Sequence, residues 1–595
     1  MTSAAATAES IRWDLSDLFS GIDDSRIPVL LQDARDQASQ FVTTYKAKLH
    51  TLTPAQLRDA FKTLEQILTP LYKLSQYAHL VYSVDTSDDA VKAFVAKVDE
   101  EESEIGNLLV FFNLELGTFS SNQLKTLADS PELALHRYDL ILTEKTARYN
   151  LSEKEEQLAN LKDLTGADGL RKLYGDLTAS FRFEMEVDGE IKSFNGSQLR
   201  ALRQHENPEV RRKAMALFFS RYEENQIIFS SIFNNIVKDF NIERKLRGFS
   251  SPILTKLVGK DLDEATIHTL HQITEESYPM VHRYYELKRQ LLGLNELTLA
   301  DIYAPLPDTT KTYTWEEAQT MVLDGFRRFD EEVYQFAKKM FDSNRIDAPV
   351  LPNKRGGAYC SSSTPDVDPY VFLNFLGRPS DVATLAHELG HAIHDMYCAN
   401  QPLFYYHPIL PLAETASVFS EMIITDKLLA ETTDVRERQS LLSHKLEDMF
   451  ATSHRQNMFS RFEMAIHDQI TDSILSSTEL CTLYEIELKK MFGSSVTITP
   501  EYRWEWASIP HMIDSPFYVF SYNFGNLLVM ALYQLYKEEG DAFIPKYKAI
   551  LAAGSSASPY DIVAIAGFDL RDPNFWRKGI VAMDALLKEL ENTVK

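Results

Sequence analysis

Apolar residues recur at helical spacing along most of this 595-residue chain, and few segments show the alternation of a strand. The segment from residue 199 to residue 240 illustrates the pattern, because its large apolar side chains are interleaved with Arg and Glu as in long amphipathic helices. The apolar residues of this segment include Leu199, Leu202, Met215, Leu217, Phe218 and Phe219. The spacing therefore predicts a mainly α fold.

Two places depart from helical spacing and predict small β-structures. Residues 181–187 alternate apolar and charged side chains and run into Asp188-Gly189, a dipeptide typical of a two-residue hairpin turn. Residues 356–360 and 370–375 form two short segments separated by a loop rich in Ser, Thr, Pro and Asp. The first pattern predicts a β-hairpin, and the second predicts a small sheet.

Charge and cysteine usage limit the partners and the compartment. The formal net charge of −25 argues against nucleic acid, because phosphate binding needs concentrated Lys and Arg. No apolar run approaches the roughly 18 residues of a membrane helix, and residues 1–9 lack a secretory signal, so we expect no membrane partner. The three cysteines lie far apart, which is typical of the reducing cytoplasm.

Domain boundaries are faint because the chain contains no long linker rich in Pro, Gly or Ser. We predict a helical N-terminal region over residues 1–115 and an intermediate region with the β-hairpin over residues 116–196. A catalytic body is predicted over residues 197–595. The oligomeric state cannot be predicted from the sequence.

Residues 380–394 carry the pattern with the clearest chemical meaning, Ser-Asp-Val-Ala-Thr-Leu-Ala-His-Glu-Leu-Gly-His-Ala-Ile-His. Ser380 is a candidate N-cap for a helix through this segment. At about 100° per residue, His387 and His391 lie one turn apart on one face, so two imidazoles can bind one metal ion. Leu385, Leu389, Ile393 and Met396 fall on the opposite face. The pattern predicts a helix with an apolar back and a histidine front.

Glu388, beside the first histidine, is placed to reach a water molecule on the metal without being a ligand. Zinc lowers the pKa of bound water towards about 7, and a neighbouring carboxylate can take its proton as the oxygen attacks a carbonyl. The pattern therefore predicts peptide hydrolysis with one Zn²⁺ per chain and Glu388 as general base.

A catalytic zinc needs a third protein ligand, and two residues are candidates. Glu414 opens a second helix-like segment after a loop that contains Pro402, Pro408 and Pro411. His394 is the rival, but three side chains at i, i+4 and i+7 span about 10 Å of a straight helix, too far for one tetrahedral ion. We expect Glu414 to be the ligand and His394 to line the cleft or support a neighbour.

These residues resemble the oligoendopeptidase F branch of the thimet-oligopeptidase-like zinc metallopeptidases. The resemblance is carried by Asn374-Phe375, residues 381–394, the segment from Glu414 to Glu421, residues 516–522 and, more weakly, residues 13–19. It implies a mostly helical, ellipsoidal enzyme with an internal channel that hydrolyses oligopeptides and excludes folded proteins. It also implies that Glu414 completes the zinc site and that Glu421 orients a ligand histidine.

Residues 509–522 concentrate groups that can donate hydrogen bonds to a tetrahedral oxyanion. In the family that this chain resembles, a histidine and tyrosines of the corresponding stretch do this work, which implies His511, Tyr522 and Tyr518 here. The sequence does not decide between the two tyrosines.

Residues 356–359, Gly-Gly-Ala-Tyr, resemble the cleft strand of the same family. Backbone groups of Gly356, Gly357 and Tyr359 are then expected to pair with an extended peptide, and the glycines would permit its close approach.

Two other functions stay open. One is a carboxypeptidase or dipeptidyl carboxypeptidase on a similar scaffold, which needs a cation for the terminal carboxylate. The other is a catalytically silent peptide-binding protein, against which the joint presence of His387, Glu388, His391 and Glu414 speaks. Cleavage preference and substrate length are not predicted.

Overall fold

The computed structural model describes residues 7–306, 311–470 and 473–594. The fold is mainly α, as predicted. The α-helices of the first range are Arg26–Tyr45, Pro54–Val84, Asp89–Leu109, Phe111–Leu116, Ser121–Ala128, Arg137–Ala147, Glu153–Asp163, Ala167–Ser180, Gly196–Ala201, Pro208–Glu224, Gln226–Arg247, Leu254–Leu257, Glu264–Glu276 and Tyr278–Leu291.

Helices also dominate the two later ranges. The α-helices there are Trp315–Phe329, Glu331–Asp342, Pro379–Cys398, Leu410–Ala413, Ser417–Glu431, Val435–Thr452, His454–Gln469, Ser477–Phe492, His511–Asp514, Phe520–Glu539, Ile544–Ala552, Pro559–Ala564 and Pro573–Asn592. Short 3₁₀ helices join several of them and are Leu49–Thr51, Pro131–His136, Leu202–Gln204, Val258–Lys260, Leu299–Asp301, Leu403–Tyr405, Pro500–Ser508 and Gly540–Phe543. In the described ranges no helix combines the length and the apolarity that crossing a membrane requires.

The predicted β-hairpin is confirmed. Strands Phe183–Val187 and Glu190–Phe194 pair antiparallel. The turn residues Asp188 and Gly189 have φ values of 56° and 82°, as a two-residue hairpin turn of the mirror-image type requires. Buried and exposed residues alternate along the first strand, so the alternation in the sequence did report one buried face.

The second predicted sheet is also present, with one strand more than the sequence indicated. Strand Tyr359–Ser361 pairs antiparallel with Tyr370–Phe372, and the additional strand Ile346–Asp347 pairs parallel with Tyr370–Phe372. A strand of two residues has no detectable alternation, which is why the pattern did not predict it.

The chain forms two compact units, each built from separate stretches of sequence. The first unit comprises Met1–Arg148, Thr310–Glu431 and Leu535–Asp569. Its N-terminal helices pack through buried aromatic rings; the ring centroids of Phe61 and Phe112 lie 5.0 Å apart. The unit also contains the three-stranded sheet and the helix Pro379–Cys398.

The second unit comprises Tyr149–Thr309, Thr432–Gln534 and Leu570–Lys595. Its interior includes polar side chains that hydrogen-bond to one another. Nδ1 of His271 lies 2.8 Å from Oδ1 of Asn457, and Nδ2 of Asn523 donates to the same oxygen at 3.1 Å. Buried polar groups are tolerated where they are paired in this way.

The three regions predicted from the sequence, residues 1–115, 116–196 and 197–595, stay a prediction.

Candidate metal centre and active site

The helix Pro379–Cys398, called the motif helix below, has a cap that differs from the prediction. Arg378 is the N-cap and Pro379 is the first helical residue. The carboxylate of Asp381 accepts hydrogen bonds from the backbone N–H groups of Leu376 and Arg378, both at 2.9 Å. The prediction of Ser380 as N-cap was therefore wrong, because proline suits the first helical turn and Asp381 satisfies the free donors before it.

The predicted apolar face of the motif helix is buried except for Met396, which is half-buried. Leu385 and Leu389 are fully buried, and Ile393 is nearly so. The side chains of His387 and His391 are 25% and 24% exposed to solvent, respectively. The helix thus faces the core with its apolar side and leaves both imidazoles accessible to a ligand.

Glu414 lies in a turn rather than at the start of a helix. It follows the short helix Leu410–Ala413, and the next helix begins at Ser417. The hydroxyl of Ser417 donates to Oε2 of Glu414 at 2.6 Å and to the Glu414 carbonyl at 3.2 Å. Ser417, which the sequence analysis did not single out, therefore fixes the carboxylate of Glu414.

A glycine of the motif brings this turn against the motif helix. A Cβ atom on Gly390 would lie 2.6 Å from the Ala416 carbonyl oxygen and 2.6 Å from Cα of Ser417. Real Cβ contacts are not that short, so only glycine permits the approach. The requirement was present in the sequence as the glycine before His391, but the partner backbone lies more than twenty positions further along the chain.

His387, His391 and Glu414 meet at one point. The Nε2 atoms of the two histidines are 3.2 Å apart, and Oε2 of Glu414 lies 3.5 Å from each of them. A tetrahedral ion about 2.0 to 2.2 Å from its nitrogen and oxygen ligands requires neighbouring ligand atoms about 3.3 to 3.6 Å apart. The three atoms therefore fit one zinc ion. Among the described residues, His387, His391 and Glu414 are the group whose ligand atoms lie close enough together to hold a metal ion.

Glu421 holds the first histidine from behind. It lies on the helix Ser417–Glu431, and its Oε1 accepts a hydrogen bond from Nδ1 of His387. Burial lowers the pKa of His387, but the hydrogen bond and the nearby charge of Glu421 outweigh burial and raise the pKa to about 9. A proton on Nδ1 directs Nε2 towards His391 and Glu414, which is the arrangement that metal-binding histidines adopt.

Glu388 is buried, with 6% of its surface exposed. Burial raises the pKa of its carboxyl to about 7, although His387 opposes the shift. The backbone of Cys360, on strand Tyr359–Ser361, also opposes this shift of the Glu388 pKa. A carboxyl with a pKa near neutrality can both take up and release a proton.

His394 does not join the metal group. It is 3% exposed, and burial lowers its pKa to about 4. The backbone of Ala413, the residue immediately before Glu414, opposes this shift of the His394 pKa. The supporting or cleft-lining role of His394 stays a prediction.

The Gly356-Gly357 segment lies before the strand that reaches Glu388. Nδ2 of Asn374 donates to the Arg355 carbonyl at 3.0 Å and to the Gly357 carbonyl at 2.9 Å. Gly357 has a φ of 87°, which favours glycine, and a Cβ at Gly356 would meet no atom within 4 Å. Tyr359 stacks on Phe372 with ring centroids 4.8 Å apart.

His511, Tyr518 and Tyr522 lie together in the second unit. The hydroxyl oxygen of Tyr522 is 3.4 Å from Nε2 of His511. The rings of His511 and Tyr518 are parallel, with centroids 5.8 Å apart, and Tyr518 meets Tyr522 edge to face at 5.2 Å. The structure thus brings these three predicted residues into one aromatic cluster.

A strained residue and a buried acid shape the same segment. Phe517 has a φ of 56°, a left-handed conformation that is costly for an aromatic residue. Its N–H donates to Oε1 of Glu463 at 2.7 Å. Glu463 was not predicted; the available signal was a charged residue among the apolar positions of the helix His454–Gln469, where Phe459 and Ile466 lie on the same face.

Two family models match the chain. Peptidase family M3 matches residues 201–581, and Oligopeptidase F matches residues 115–183. The first match alone covers more than half of the sequence. It contains all the predicted metal ligands and the predicted base.

Individual relatives agree with the family matches. The chain is 29% identical to an oligoendopeptidase F of Lactococcus lactis subsp. cremoris, over 99% of this chain and 98% of the relative. It is 27% identical to the oligopeptidase PepF of Bacillus subtilis, over 92% of this chain and 82% of the relative.

Solved structures share the fold. The oligoendopeptidase F of Enterococcus faecium superposes with a TM-score of 0.71 at 23% identity, covering 96% of this chain and 99% of the other. A structure from Chlamydophila abortus superposes with a TM-score of 0.87 at 22% identity, covering 98% of each chain. The mainly α fold, the motif helix and the family matches agree with the resemblance seen in the sequence, and the chain belongs to peptidase family M3, as a metallo-oligopeptidase.

Proposed function

We propose that this chain is a zinc-dependent endopeptidase that hydrolyses internal peptide bonds of short oligopeptides. The observation that carries the proposal is the triangle of ligand atoms from His387, His391 and Glu414, with sides of 3.2, 3.5 and 3.5 Å. These three residues would hold one Zn²⁺ and leave a fourth position for water or substrate. When bound, the ion supplies a Lewis acid that polarises the scissile carbonyl and makes water more acidic.

In this proposal, Glu388 is the general base. It takes the proton of the attacking water and passes it to the nitrogen of the leaving amine. A pKa raised to about 7 by burial supports both steps, because the carboxyl gains and loses a proton with little cost near neutral pH. Glu421 keeps His387 oriented through the hydrogen bond to Nδ1.

His511, Tyr518 and Tyr522 are proposed to donate hydrogen bonds to the oxyanion of the tetrahedral intermediate. Support comes from their clustering and from the donors they carry, an imidazole and two phenols. Kinetics of the single variants Tyr518→Phe and Tyr522→Phe would show which of the two tyrosines does this work.

The substrate is proposed to lie in an extended conformation along residues 356–359. Asn374 holds the Arg355 and Gly357 carbonyls, so the shape of this segment is fixed before substrate binds. We also propose a channel that admits short peptides and excludes folded proteins.

The proposed compartment is the cytoplasm. The three cysteines are free thiols, as is usual for proteins of a reducing compartment.

A cleavage map tests the proposal. Short peptides of increasing length, all with one fixed central sequence, are incubated with the purified protein and the products are identified by mass spectrometry. Internal cleavage that stops with 1,10-phenanthroline and returns with Zn²⁺ is expected, and long unfolded casein should be cut far more slowly. Removal of residues only from the C-terminus would instead identify a carboxypeptidase or dipeptidyl carboxypeptidase, and comparable turnover of casein would remove the channel.

A further inference from the structure

Two lysines beside the aromatic cluster have no carboxylate partner among the described residues. Lys260 ends the 3₁₀ helix Val258–Lys260, and Lys256 lies four positions earlier, in the helix Leu254–Leu257. The ammonium of Lys260 donates to the hydroxyl of Ser521 at 3.0 Å and lies 4.8 Å from the ring centroid of Phe520. Burial and then the charge of Lys256 lower the pKa of Lys260, so the two ammonium groups are close enough to influence each other.

Other buried lysines of the chain are paired. Nζ of Lys354 lies 2.7 Å from Asp347, Nζ of Lys427 lies 2.6 Å from Glu431, and Lys288 pairs with Glu447. A chain with 86 acidic and 61 basic residues does not lack carboxylates for such pairs. Burying an ammonium without a counter-ion costs free energy, so an unpaired half-buried lysine indicates a place where an anion from outside the chain binds.

Glu463 and Glu243 are the two acids whose charges act on Lys256, and Glu243 already accepts a hydrogen bond from Nε of Arg247 at 2.8 Å. Glu463 influences Lys256, but its Oε1 accepts the Phe517 N–H, and burial raises the pKa of the Glu463 carboxyl to about 8. At neutral pH this carboxyl is mostly protonated and does not neutralise a lysine. Burial also lowers the pKa of Lys260 to about 8, and a bound anion would reverse that shift.

The position of the lysines connects them with peptide binding. Ser521, the hydrogen-bond partner of Lys260, stands between Phe520 and Tyr522 in the sequence, and Tyr522 belongs to the aromatic cluster. Among the atoms of a peptide, the carboxylate is the anion that an ammonium recognises. We propose that Lys260, assisted by Lys256, binds a carboxylate of the peptide substrate beside the cluster of His511, Tyr518 and Tyr522. The inference rests on the proposed function.

A carboxylate can come from the C-terminus of the peptide or from an Asp or Glu side chain, and binding measurements separate the two. The zinc-loaded Glu388→Gln protein, in which hydrolysis is blocked, is titrated calorimetrically with a short N-acetylated peptide as free acid and as C-terminal amide. The amide form is then measured with Glu or Gln at each position in turn. Both comparisons, free acid against amide and Glu against Gln, are repeated with proteins that combine Glu388→Gln with Lys260→Gln, Lys260→Arg or Lys489→Gln. Lys489→Gln is the control, because Lys489 is an exposed lysine that contacts Glu485.

We expect the carboxylate form of one pair to bind roughly tenfold more tightly, as a charge-assisted hydrogen bond allows. Lys260→Gln should remove that difference, whereas Lys260→Arg and Lys489→Gln should keep it; the responding pair identifies the source. Equal affinities within both pairs, or a preference that survives Lys260→Gln, would overturn the inference. Because binding is read without turnover, a wild-type protein that cleaves no peptide would contradict the proposed function alone.

Discussion

Oε1 of Glu421 accepts a hydrogen bond from Nδ1 of His387, on the side of the imidazole opposite to the nitrogen that faces His391 and Glu414. The bond connects two helices, because Glu421 belongs to Ser417–Glu431 and His387 to the motif helix. It fixes both the tautomer and the rotation of the ring. Glu421 lies outside the proposed ligand set, and its hydrogen bond holds one of the proposed ligand histidines in position.

Replacing Glu421 should weaken zinc binding. We expect Glu421→Ala to lower the affinity about 10- to 100-fold, as is typical for loss of a group that orients a metal-binding histidine. Competition with a fluorescent chelator measures the affinity. Asp426→Asn, on the same helix in an exposed pair with Lys537, is the matched control and should leave it unchanged. Equal affinities of the Glu421 variant and wild type would show that the hydrogen bond does not organise the site.

Gly390→Ala should disturb the site through packing alone. The added methyl would press on the backbone of Ala416 and Ser417, so the turn that carries Glu414 must move. We expect a loss of about 1 to 3 kcal/mol in the free energy of unfolding together with weaker zinc binding. The control is Gly106→Ala, a helical position with nothing within 4 Å, which should stabilise the protein slightly. Unchanged zinc affinity in Gly390→Ala would contradict the close approach.

Glu414→Ala and His394→Ala should have different effects on zinc binding. The first removes a carboxylate 3.5 Å from both histidine nitrogens and should reduce zinc content severely. The second removes a buried imidazole that does not belong to the metal group and should keep the ion while altering KM or stability. Metal analysis of both variants after dialysis measures the difference. If His394→Ala lost the metal and Glu414→Ala kept it, the ligand assignment would move to His394.

The buried carboxyl of Glu463 should make stability depend on pH. Its pKa is raised from 4.5 to about 8 in the folded protein, because burial favours the neutral form. The contribution of this group to stability is therefore complete below about pH 4.5 and is lost as the pH rises through about 8. Glu463→Gln cannot ionise and still offers an oxygen to the Phe517 N–H.

The melting temperature of Glu463→Gln should consequently rise relative to that of wild type between pH 5 and pH 8, as the linkage of protonation to folding requires. The exposed residue Glu186 provides the control variant Glu186→Gln, whose melting temperature should follow that of wild type at each pH. A constant difference between Glu463→Gln and wild type over this range would show that Glu463 titrates normally.

The parts of the fold that follow from local sequence could be predicted. The hairpin at Asp188-Gly189 and the two faces of the motif helix both depend on residues a few positions apart, so periodicity and turn chemistry report them directly. The meeting of His387 with His391 is of the same kind. Glu414 was found as a ligand candidate, but its place in a turn stabilised by Ser417 was not.

What could not be predicted depends on contacts between distant segments. The approach of Gly390 to Ala416, the hydrogen bond of Glu463 to Phe517 and the pairing of Ile346–Asp347 each join residues whose proximity only the folded chain creates. The N-cap of the motif helix was predicted wrongly for another reason. Ser380 and Asp381 are both good capping residues, but Pro379 is the first helical residue, so the N-cap is Arg378, two positions before Ser380.

In the proposed mechanism, Glu388 acts as the general base at a zinc site of which it is not a ligand. The most direct test is to measure, on one preparation of Glu388→Gln, both the zinc content and kcat on an oligopeptide that wild type cleaves internally. We expect one zinc ion per chain, as in wild type, and a kcat at least about 100-fold lower, as is usual when a general base is lost. If the variant kept its zinc and a kcat near that of wild type, Glu388 would not be the general base.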